Sequence, residues 1–298
     1  MPRGTIIKAL SGFFYVQDEH TQQVYQCKGR GILKKNNVSP LVGDFVTYTP
    51  TTHCEGMIEE IEPRKNEFFR PKVANVDQVI QVFTFKRPEW NQRLLDRFIV
   101  MAESVHVDSV IVINKADLLT DADRALAENR QKLYESMGYT VLFVSTQEDI
   151  GKRELQDVLA GKISMFSGQS GVGKSSLLNY LEPGLQLRTA DISDKLGRGK
   201  HTTSHVELFS LCSGGFLVDT PGFGQITLNF IEDIQLLASL FREISAAGQQ
   251  CKYRGCTHLT EDGCHVIQQV EDGQIDRLRY QHYVELVGEL KEHSKNKY

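Results

Sequence analysis

The segment GQSGVGKS, residues 168–175, has the residue types and spacing of a phosphate-binding loop. Glycines in such a loop let consecutive backbone N–H groups turn toward an anion, a lysine adds positive charge, and a serine hydroxyl can ligate Mg²⁺. The apolar run ISMFS precedes the loop and the helical segment SLLNYL follows it, which is the strand–loop–helix context that the motif requires. The candidate binding residues are Gly168, Gln169, Ser170, Gly171, Val172, Gly173, Lys174, Ser175 and Ser176. Lys174 is also a candidate catalytic residue, and Ser175 a candidate Mg²⁺ ligand.

A second motif, NKAD at 114–117, follows the apolar run VDSVIVI. It therefore stands at the strand end where open α/β sheets bind ligands. The carboxylate of Asp117 can accept from the N1–H and N2–H₂ groups of guanine, a donor pair that adenine lacks, while Asn114 and Lys115 position the ring. The alternative is that Asp117 caps a helix that begins around LLTDADR. Together with the phosphate loop, the motif predicts GTP as the ligand.

A third motif, DTPG at 219–222, closes the apolar run GFLVDT. This position would place Asp219 near the Mg²⁺ shell and the N–H of Gly222 near a γ-phosphate. The polar, glycine-rich stretch GRGKHTTSH lies between this motif and the phosphate loop. It is either a switch segment, in which Thr202 or Thr203 supplies a hydroxyl to the metal, or an ordinary surface loop.

Three of the six cysteines crowd together with a histidine near the C-terminus. Cys251, Cys256, His258 and Cys264 have the short spacings of a structural Zn²⁺ site, and four protein ligands leave no open position for a reactive water. The alternative is a set of buried cysteines or a disulfide, which a cytoplasmic setting disfavours. The cluster therefore predicts one structural Zn²⁺.

The elements that must position these motifs follow from the hydrophobic patterning. Residues 1–70 contain five short strands separated by turn residues, which indicates a small barrel such as the OB-fold. From about residue 75 apolar runs alternate with helical segments, which is typical of an α/β nucleotide-binding domain over residues 71–228. Residues 229–298 predict a mainly helical zinc-binding domain, with one helix through IEDIQLLASLFREIS and a closing helix. The predicted inward-facing stripe of that closing helix comprises Ile275, Leu278, Tyr283, Leu286 and Leu290.

Composition excludes several classes of protein. A chain of 298 residues predicts two or three domains, and no run reaches the roughly 18 consecutive apolar residues that a membrane span requires. The opening segment MPRGTIIKALSGFFYV lacks the continuous apolar stretch of a secretion signal, so we expect a cytoplasmic protein. The net charge of −4 argues against a simple polycation that coats nucleic acid.

The order of the motifs is unusual because the base motif at Asn114 precedes the phosphate loop at Gly168. In this order, with barrel strands before and a Cys/His cluster after, the whole chain resembles the circularly permuted GTPases of the ribosome small-subunit-dependent RsgA family. The resemblance implies an OB-fold barrel, a permuted P-loop GTPase domain and a zinc domain. It also implies a GTP hydrolase that yields GDP and phosphate and acts in late maturation of the small ribosomal subunit. Its expected partners are that subunit and its rRNA, with no DNA or membrane, and we expect a monomer.

The resemblance also assigns residues. It implies that Ser145 and Thr146 support the guanine oxygen through their backbone. Phe223 stands where Ras-like GTPases carry the glutamine that orients the attacking water, so another group must take that role. We hypothesise slow intrinsic hydrolysis that the ribosomal partner accelerates by ordering the GKHTT segment, with His201 brought toward the water and Thr203 toward the metal.

Two other functions are compatible with the same residues. One is a metal-handling GTPase whose Cys/His cluster delivers its ion to a client protein. The other is an RNA-binding assembly module in which GTP is a ligand that is not hydrolysed. Retention of zinc through many turnovers would distinguish the first from a structural site. Measurable turnover would distinguish the second from an enzyme.

Overall fold

The protein folds into a β-barrel, an α/β sheet domain and a helical module. The computed structural model describes residues 1–30, 39–69, 71–185, 206–219, 231 and 233–295. The barrel strands are β1 (Arg3–Leu10), β2 (Phe13–Asp18), β3 (Val24–Gly29), β4 (Phe45–Pro50) and β5 (Glu55–Ile61). They pair in the order β1-β2-β3-β5-β4 and close through a β1–β4 pairing, with β3 and β5 parallel. This arrangement confirms the predicted five-stranded barrel.

Alternation of apolar side chains fills the barrel interior. Its core comprises Ile6, Val16, Cys27, Val46, Tyr48 and Ile58. A short hairpin of β6 (Glu67–Phe69) and β7 (Lys72–Ala74) then leads to the central domain. Sequence patterning did not predict this hairpin, because three-residue strands are too short to show a period.

The central sheet is mostly parallel. Its strands are β8 (Gln78–Phe83), β9 (Asp108–Asn114), β10 (Thr140–Val144), β11 (Ile163–Ser167), β12 (Glu207–Ser210) and β13 (Phe216–Asp219). They lie in the order β10-β9-β8-β11-β13-β12, and only β12 runs antiparallel to its neighbour β13. All residues of β8 and β11 are buried, as expected for strands covered on both faces.

Helices cover both faces of this sheet. They are α1 (Gln92–Ser104), α2 (Asp121–Ser136), α3 (Lys152–Leu159) and α4 (Lys174–Leu181), with short 3₁₀ turns at Ala116–Leu118 and Pro183–Leu185. Side chains of α1 and α2 pack with those of β8, β9 and β10 on one face, and α3 and α4 pack on the other. The side chains of Asn91 and Thr120 accept hydrogen bonds from backbone N–H groups and so cap the N-termini of α1 and α2. The predicted α/β domain is therefore confirmed.

The barrel and the central sheet are joined edge to edge. Lys8 of β1 pairs with Glu207 of β12, so the two sheets form one sheet of eleven strands. The Lys8 Nζ lies 2.9 Å from a carboxylate oxygen of Glu207. Near the other end of β12, the Ser210 hydroxyl donates to the Gln17 side chain at 2.7 Å. These contacts bind the barrel to the strand that directly follows the GRGKHTTSH stretch.

The C-terminal module contains α5 (Ile234–Ser239), α6 (Arg242–Gly248), α7 (His265–Glu271) and α8 (Arg277–Lys295). The prediction of a single helix through IEDIQLLASLFREIS was wrong, since the chain turns between α5 and α6 at Leu240 and Phe241. Both of these side chains are buried in the core of the module, which the turn allows them to reach together. Among the described residues, no helix has both the length and the apolar character to cross a membrane.

The inward face of α8 also differs in part from the predicted stripe. Tyr283, Leu286 and Leu290 are buried as predicted, and Ile275 is buried just before the helix, but the Leu278 side chain is exposed. Leu278 lies five residues before Tyr283, which does not match the three- or four-residue spacing of one helix face. Arg279, four residues before Tyr283, takes the inward position and is 1% exposed.

A buried carboxylate joins this module to the central domain. Asp96 of α1 is fully buried and accepts hydrogen bonds from the Arg279 guanidinium and from the Tyr134 hydroxyl, the latter at 2.7 Å. His282 Nδ1 lies 2.6 Å from the second carboxylate oxygen. Arg279 also pairs with Glu243 of α6 at 2.6 Å, so helices of both domains meet in one charged cluster. These opposite charges hold the pKa of Arg279 above its ordinary value despite burial.

We expect Asp96→Ala to lower the free energy of unfolding by about 3–5 kcal/mol, because it leaves the Arg279 charge buried without one of its two carboxylate partners. Urea denaturation measures the change. Arg93→Ala is the matched control, since Arg93 of the same helix pairs with Glu285 in an exposed ion pair. Such pairs contribute about 1 kcal/mol or less. An Asp96→Ala protein as stable as the control would contradict this account of the junction.

Candidate nucleotide and metal sites

The phosphate loop has the strand–loop–helix geometry expected from its sequence. Strand β11 ends at Ser167 and α4 begins at Lys174. Gly168 and Gly173 adopt φ values of 142° and 93°, in the region that favours glycine. A Cβ atom on Gly173 would stand 2.7 Å from Asn114 Nδ2, and one on Gly168 would clash with the carbonyl oxygen of Val82. Glycine is therefore required at both positions by conformation and by close packing.

Lys174 lies against its own loop. Its Nζ donates to the carbonyl oxygens of Gly168 at 2.6 Å and Gln169 at 2.8 Å. Burial lowers the pKa of Lys174 to about 8, so a large part of the population is uncharged at pH 8. An anion bound in the loop would favour the charged ammonium and compete with the carbonyl oxygens for its protons.

The base motif contacts the phosphate loop directly. The buried Asn114 donates through Nδ2 to the carbonyl oxygen of Val172 at 2.9 Å. Lys115, in a left-handed backbone conformation, donates through Nζ to the carbonyl oxygens of Gly171 and Arg87, both at 2.6 Å. The structure thus brings together two motifs that lie more than fifty residues apart in the sequence.

Asp117 is held by a serine of the next strand end. The Ser145 hydroxyl donates to Asp117 Oδ1 at 2.6 Å and accepts from the backbone N–H groups of residues 147 and 148. The backbone N–H of Ser145 donates to Ile150, so its observed link to the base site is its side chain. The alternative interpretation of Asp117 as a helix cap was wrong, because Thr120 caps α2 in a capping box with Asp123. Thr146 follows Ser145 and is partly buried.

The candidate magnesium ligands are described only in part. Ser175 is buried in the first turn of α4, and Ser176 is exposed. Asp219 is the last residue of β13, which runs parallel to β11 and beside it, so both strands end at the same edge of the sheet. The other candidate residues of this region, Thr202, Thr203, His201, Gly222 and Phe223, lie outside the described residues.

The four predicted zinc ligands converge. Ligand atoms of Cys251, Cys256, His258 and Cys264 all lie within 4.8 Å of one another. Both Cys251 Sγ and Cys264 Sγ are 3.5 Å from His258 Nδ1, and the two sulfur atoms are 3.9 Å apart. Tetrahedral Zn²⁺ with ordinary bond lengths places sulfur atoms about 3.8 Å apart and sulfur about 3.6 Å from nitrogen. The donor set therefore fits Zn²⁺.

Hydrogen bonds around the cluster hold its backbone. The hydroxyls of Tyr280 and Tyr283 on α8 donate to the carbonyl oxygens of His258 and Thr257, each at 2.7 Å. The Glu261 carboxylate accepts from four donors at residues 257–260, which helps to lower its pKa to about 2. Burial raises the pKa of Cys256 to about 12, so a bound cation is needed to hold that sulfur as a thiolate.

Sequence reasoning missed several residues that support these sites. The backbone of Arg87, which precedes α1, accepts from Lys115, and the Pro88 ring lies close to Gly171. No motif marks this loop, so only its position after β8, at the ligand-binding end of the sheet, could have indicated it. Tyr280 and Tyr283 were predicted as part of a helix, without a role beside the metal ligands.

Comparison with known proteins identifies relatives over nearly the whole chain. A family model described as RsgA GTPase matches residues 61–229, and one described as RsgA N-terminal domain matches residues 3–58. The chain is 48% identical over 292 residues to a protein of Geobacillus sp. (strain WCH70) named small ribosomal subunit biogenesis GTPase RsgA, covering 98% of both chains. A Bacillus subtilis (strain 168) protein of the same name is 46% identical over 299 residues, with the same coverage.

Two solved structures have the same fold. YjeQ from Thermotoga maritima aligns with a TM-score of 0.87 and 39% identity, covering 97% of this chain and 98% of that one. YloQ, described as a circularly permuted GTPase, aligns with a TM-score of 0.85 and 41% identity, covering 98% of this chain and 96% of that one.

The lowered pKa of Lys174 predicts a pH-dependent affinity for nucleotide. If only the charged ammonium binds phosphates, GDP should bind about fourfold more weakly at pH 8.5 than at pH 7, because a group with a pKa near 8 loses most of its protons over that range. Titration of fluorescent GDP measures the affinity at each pH. Lys174→Arg, which stays charged, should remove the pH dependence. An affinity of the wild-type protein that does not change with pH would contradict the prediction.

The Cys/His cluster predicts zinc-dependent structure. Cys264→Ser should lose most of the bound zinc. The environment of Tyr280 and Tyr283 should also become less ordered, because the segment whose carbonyl oxygens they contact depends on the metal for its structure. Metal analysis and near-UV circular dichroism measure the two effects. Cys54→Ser is the matched control, since Cys54 is an exposed cysteine far from the cluster in sequence. Wild-type zinc content in Cys264→Ser would show that this cysteine is not a ligand.

Proposed function

The chain belongs to the RsgA GTPase family, and we propose that it hydrolyses GTP to GDP and phosphate while it acts in late maturation of the small ribosomal subunit. The observation that carries this proposal is the contact between the base motif and the phosphate loop. Asn114 and Lys115 donate to carbonyl oxygens of that loop, so the two motifs that would bind the base and the phosphates are in direct contact. The curated relatives that match the chain over nearly its whole length support the same function.

In this proposal each motif has a separate task. Asp117, oriented by Ser145, accepts from N1–H and N2–H₂ of guanine, and Asn114 and Lys115 border the ring. Thr146 supports the guanine oxygen through its backbone. Residues 168–176 surround the phosphates with N–H groups, and Lys174 stabilises the negative charge that develops on transfer.

Magnesium prefers hard oxygen ligands, and we propose that residues at the edge where β11 and β13 end supply them. Ser175 would contribute its hydroxyl, Asp219 its carboxylate and Thr203 a second hydroxyl. The ion would supply positive charge that offsets the negative charge of the phosphates. Gly222 would donate its N–H to the γ-phosphate. Phe223 cannot orient a water molecule by hydrogen bonding, so we assign that task to His201.

The β-barrel and the C-terminal helical module would recognise the ribosomal partner. We propose domain boundaries at residues 70 and 228, with rRNA contacts from the barrel and from the zinc module. In this proposal the protein is a cytoplasmic monomer whose partners are the small subunit and its rRNA, without DNA or membrane. Zn²⁺ has a structural role, because a closed Cys₃His set with three buried ligands does not suit transfer of the ion to a client protein.

The test is GTP hydrolysis by the zinc-loaded protein alone and with purified small subunits, large subunits or free RNA. We expect strong stimulation by small subunits only, because the partner would order the segment that contains His201. His201→Ala should lower the stimulated rate and leave GTP affinity unchanged. Tight GTP binding without turnover under any of these conditions would contradict an enzymatic function.

Asp117→Asn provides the control for base recognition. An amide keeps an acceptor for N1–H but presents an NH₂ donor where the second carboxylate oxygen stood, so it should disfavour guanine and favour xanthine, which carries an oxygen at C2. In the presence of small subunits, this variant should therefore hydrolyse xanthosine triphosphate faster than GTP. If the variant still prefers GTP, Asp117 does not recognise the base.

A further inference from the structure

An exposed loop lies between the first two zinc ligands. All four residues between Cys251 and Cys256 are exposed, and Tyr253 is 49% exposed. The loop therefore presents a planar apolar face to solvent beside the metal cluster.

The loop is fixed at both ends. Cys251 and Cys256 anchor it to the metal cluster, and Gly255 adopts a φ of 77° near the start of α5. A Cβ atom on Gly255 would stand 2.8 Å from Nε2 of the exposed Gln235 side chain. Only four residues separate the two anchors, which limits the conformations of the loop and lowers the entropic cost of binding.

The tyrosine ring is oriented by its neighbour. The Lys252 stem lies against Gly263, where an added Cβ atom would be 3.3 Å from the Lys252 Cδ atom. The Lys252 ammonium lies over the Tyr253 ring, 5.0 Å from its centroid, in a cation–π contact. One face of the ring therefore carries a positive charge, and the exposed surface of the ring remains available for stacking.

The loop carries two positive charges, those of Lys252 and Arg254. Within the described part of the chain, neither side chain forms a salt bridge. The Glu261 carboxylate accepts hydrogen bonds from residues 257–260, so its oxygen atoms are already engaged. An exposed aromatic ring with a cationic residue on either side of it in the sequence can bind single-stranded nucleic acid through base stacking and phosphate contacts.

We propose that Lys252, Tyr253 and Arg254 form a stacking platform for an unpaired base of ribosomal RNA. The base stacks on the Tyr253 ring, and the two cations contact the flanking phosphates. An acidic peptide would contact the two cations, but its carboxylates would not stack on the exposed ring. The observations therefore favour RNA. This inference rests on the proposed function and identifies a contact surface for the ribosomal partner.

The experiment measures binding of the full-length, zinc-loaded protein with a GTP analogue to purified small subunits and, separately, to fluorescein-labelled oligoadenylate RNA. Tyr253→Leu should weaken both interactions roughly five- to 150-fold, which corresponds to about 1–3 kcal/mol for one stacked base. Tyr253→Phe, which keeps the ring, should bind within about twofold of wild type. Zinc content and GTP affinity, measured in parallel, should stay unchanged in all variants.

A second pair of variants separates stacking from charge. Lys252→Gln combined with Arg254→Gln should weaken binding and lower its dependence on salt. Arg124→Gln combined with Lys132→Gln, on the exposed surface of α2, removes the same charge elsewhere and should change binding little.

Three results would overturn the platform. If the Tyr253→Leu variant binds small subunits and oligoadenylate with wild-type affinity, stacking on Tyr253 is excluded. Loss of binding in the charge variant with full binding by Tyr253→Leu would indicate a purely electrostatic contact, such as an acidic protein segment. An equal loss in the α2 control would indicate a general charge effect. If wild type does not bind small subunits at all, the proposed function fails, and the oligoadenylate measurement alone then decides on the platform.

Discussion

The arrangement of the protein depends on one buried carboxylate, that of Asp96. It has no access to solvent, and it accepts from a guanidinium and a phenol while a histidine nitrogen lies against its second oxygen. A buried charge is costly unless these partners are present, so the cluster permits only the arrangement in which α1, α2 and α8 meet. Hydrophobic contacts alone are less directional and would constrain the relative position of these helices less.

This constraint links the C-terminal module, which carries the Cys/His cluster, to the proposed nucleotide site through a single helix. Helix α1 begins at Gln92, a few residues after Arg87, whose carbonyl oxygen accepts from Lys115 of the base motif. One turn further along, the same helix carries Asp96, which contacts α8, and α8 in turn supports the backbone of the Cys/His cluster at Thr257 and His258. The NKAD motif, α1, α8 and the Cys/His cluster are therefore connected by a continuous series of contacts.

Much of the fold and site could be predicted because the signals are local. Strand periodicity predicted the barrel, and apolar runs predicted the sheet strands from β8 to β13. The spacing of the four zinc ligands predicted their convergence. Contacts between distant residues were not predicted. Arg279 and Asp96 are 183 residues apart, and nothing in either local sequence indicates a partner.

The helical differences have a similar cause. A continuous amphipathic pattern predicted one helix where the chain forms α5 and α6, because the pattern does not show that Leu240 and Phe241 must reach the same core at a turn. Leu278 was placed inward because apolar residues recur here at intervals of three to five, yet Arg279 takes that position because its charge is satisfied by two carboxylates. The role of Ser145 as a side-chain partner of Asp117 also depends on tertiary structure, because β10 must first pair with β9.

The order of strands in the central sheet has a consequence for synthesis of the chain. Strand β8 lies between β9 and β11, and its pairing with β11 joins residues 86 positions apart, as in Gln78 and Ser164. While the chain is being translated, β8 and β9 can pair early, but the other edge of β8 has no partner until β11 emerges. An unpaired apolar edge is a site for misassociation in a nascent chain. The permuted order therefore completes the half that carries the NKAD motif first, and the growing chain lacks its phosphate loop until more than half of the protein has been made.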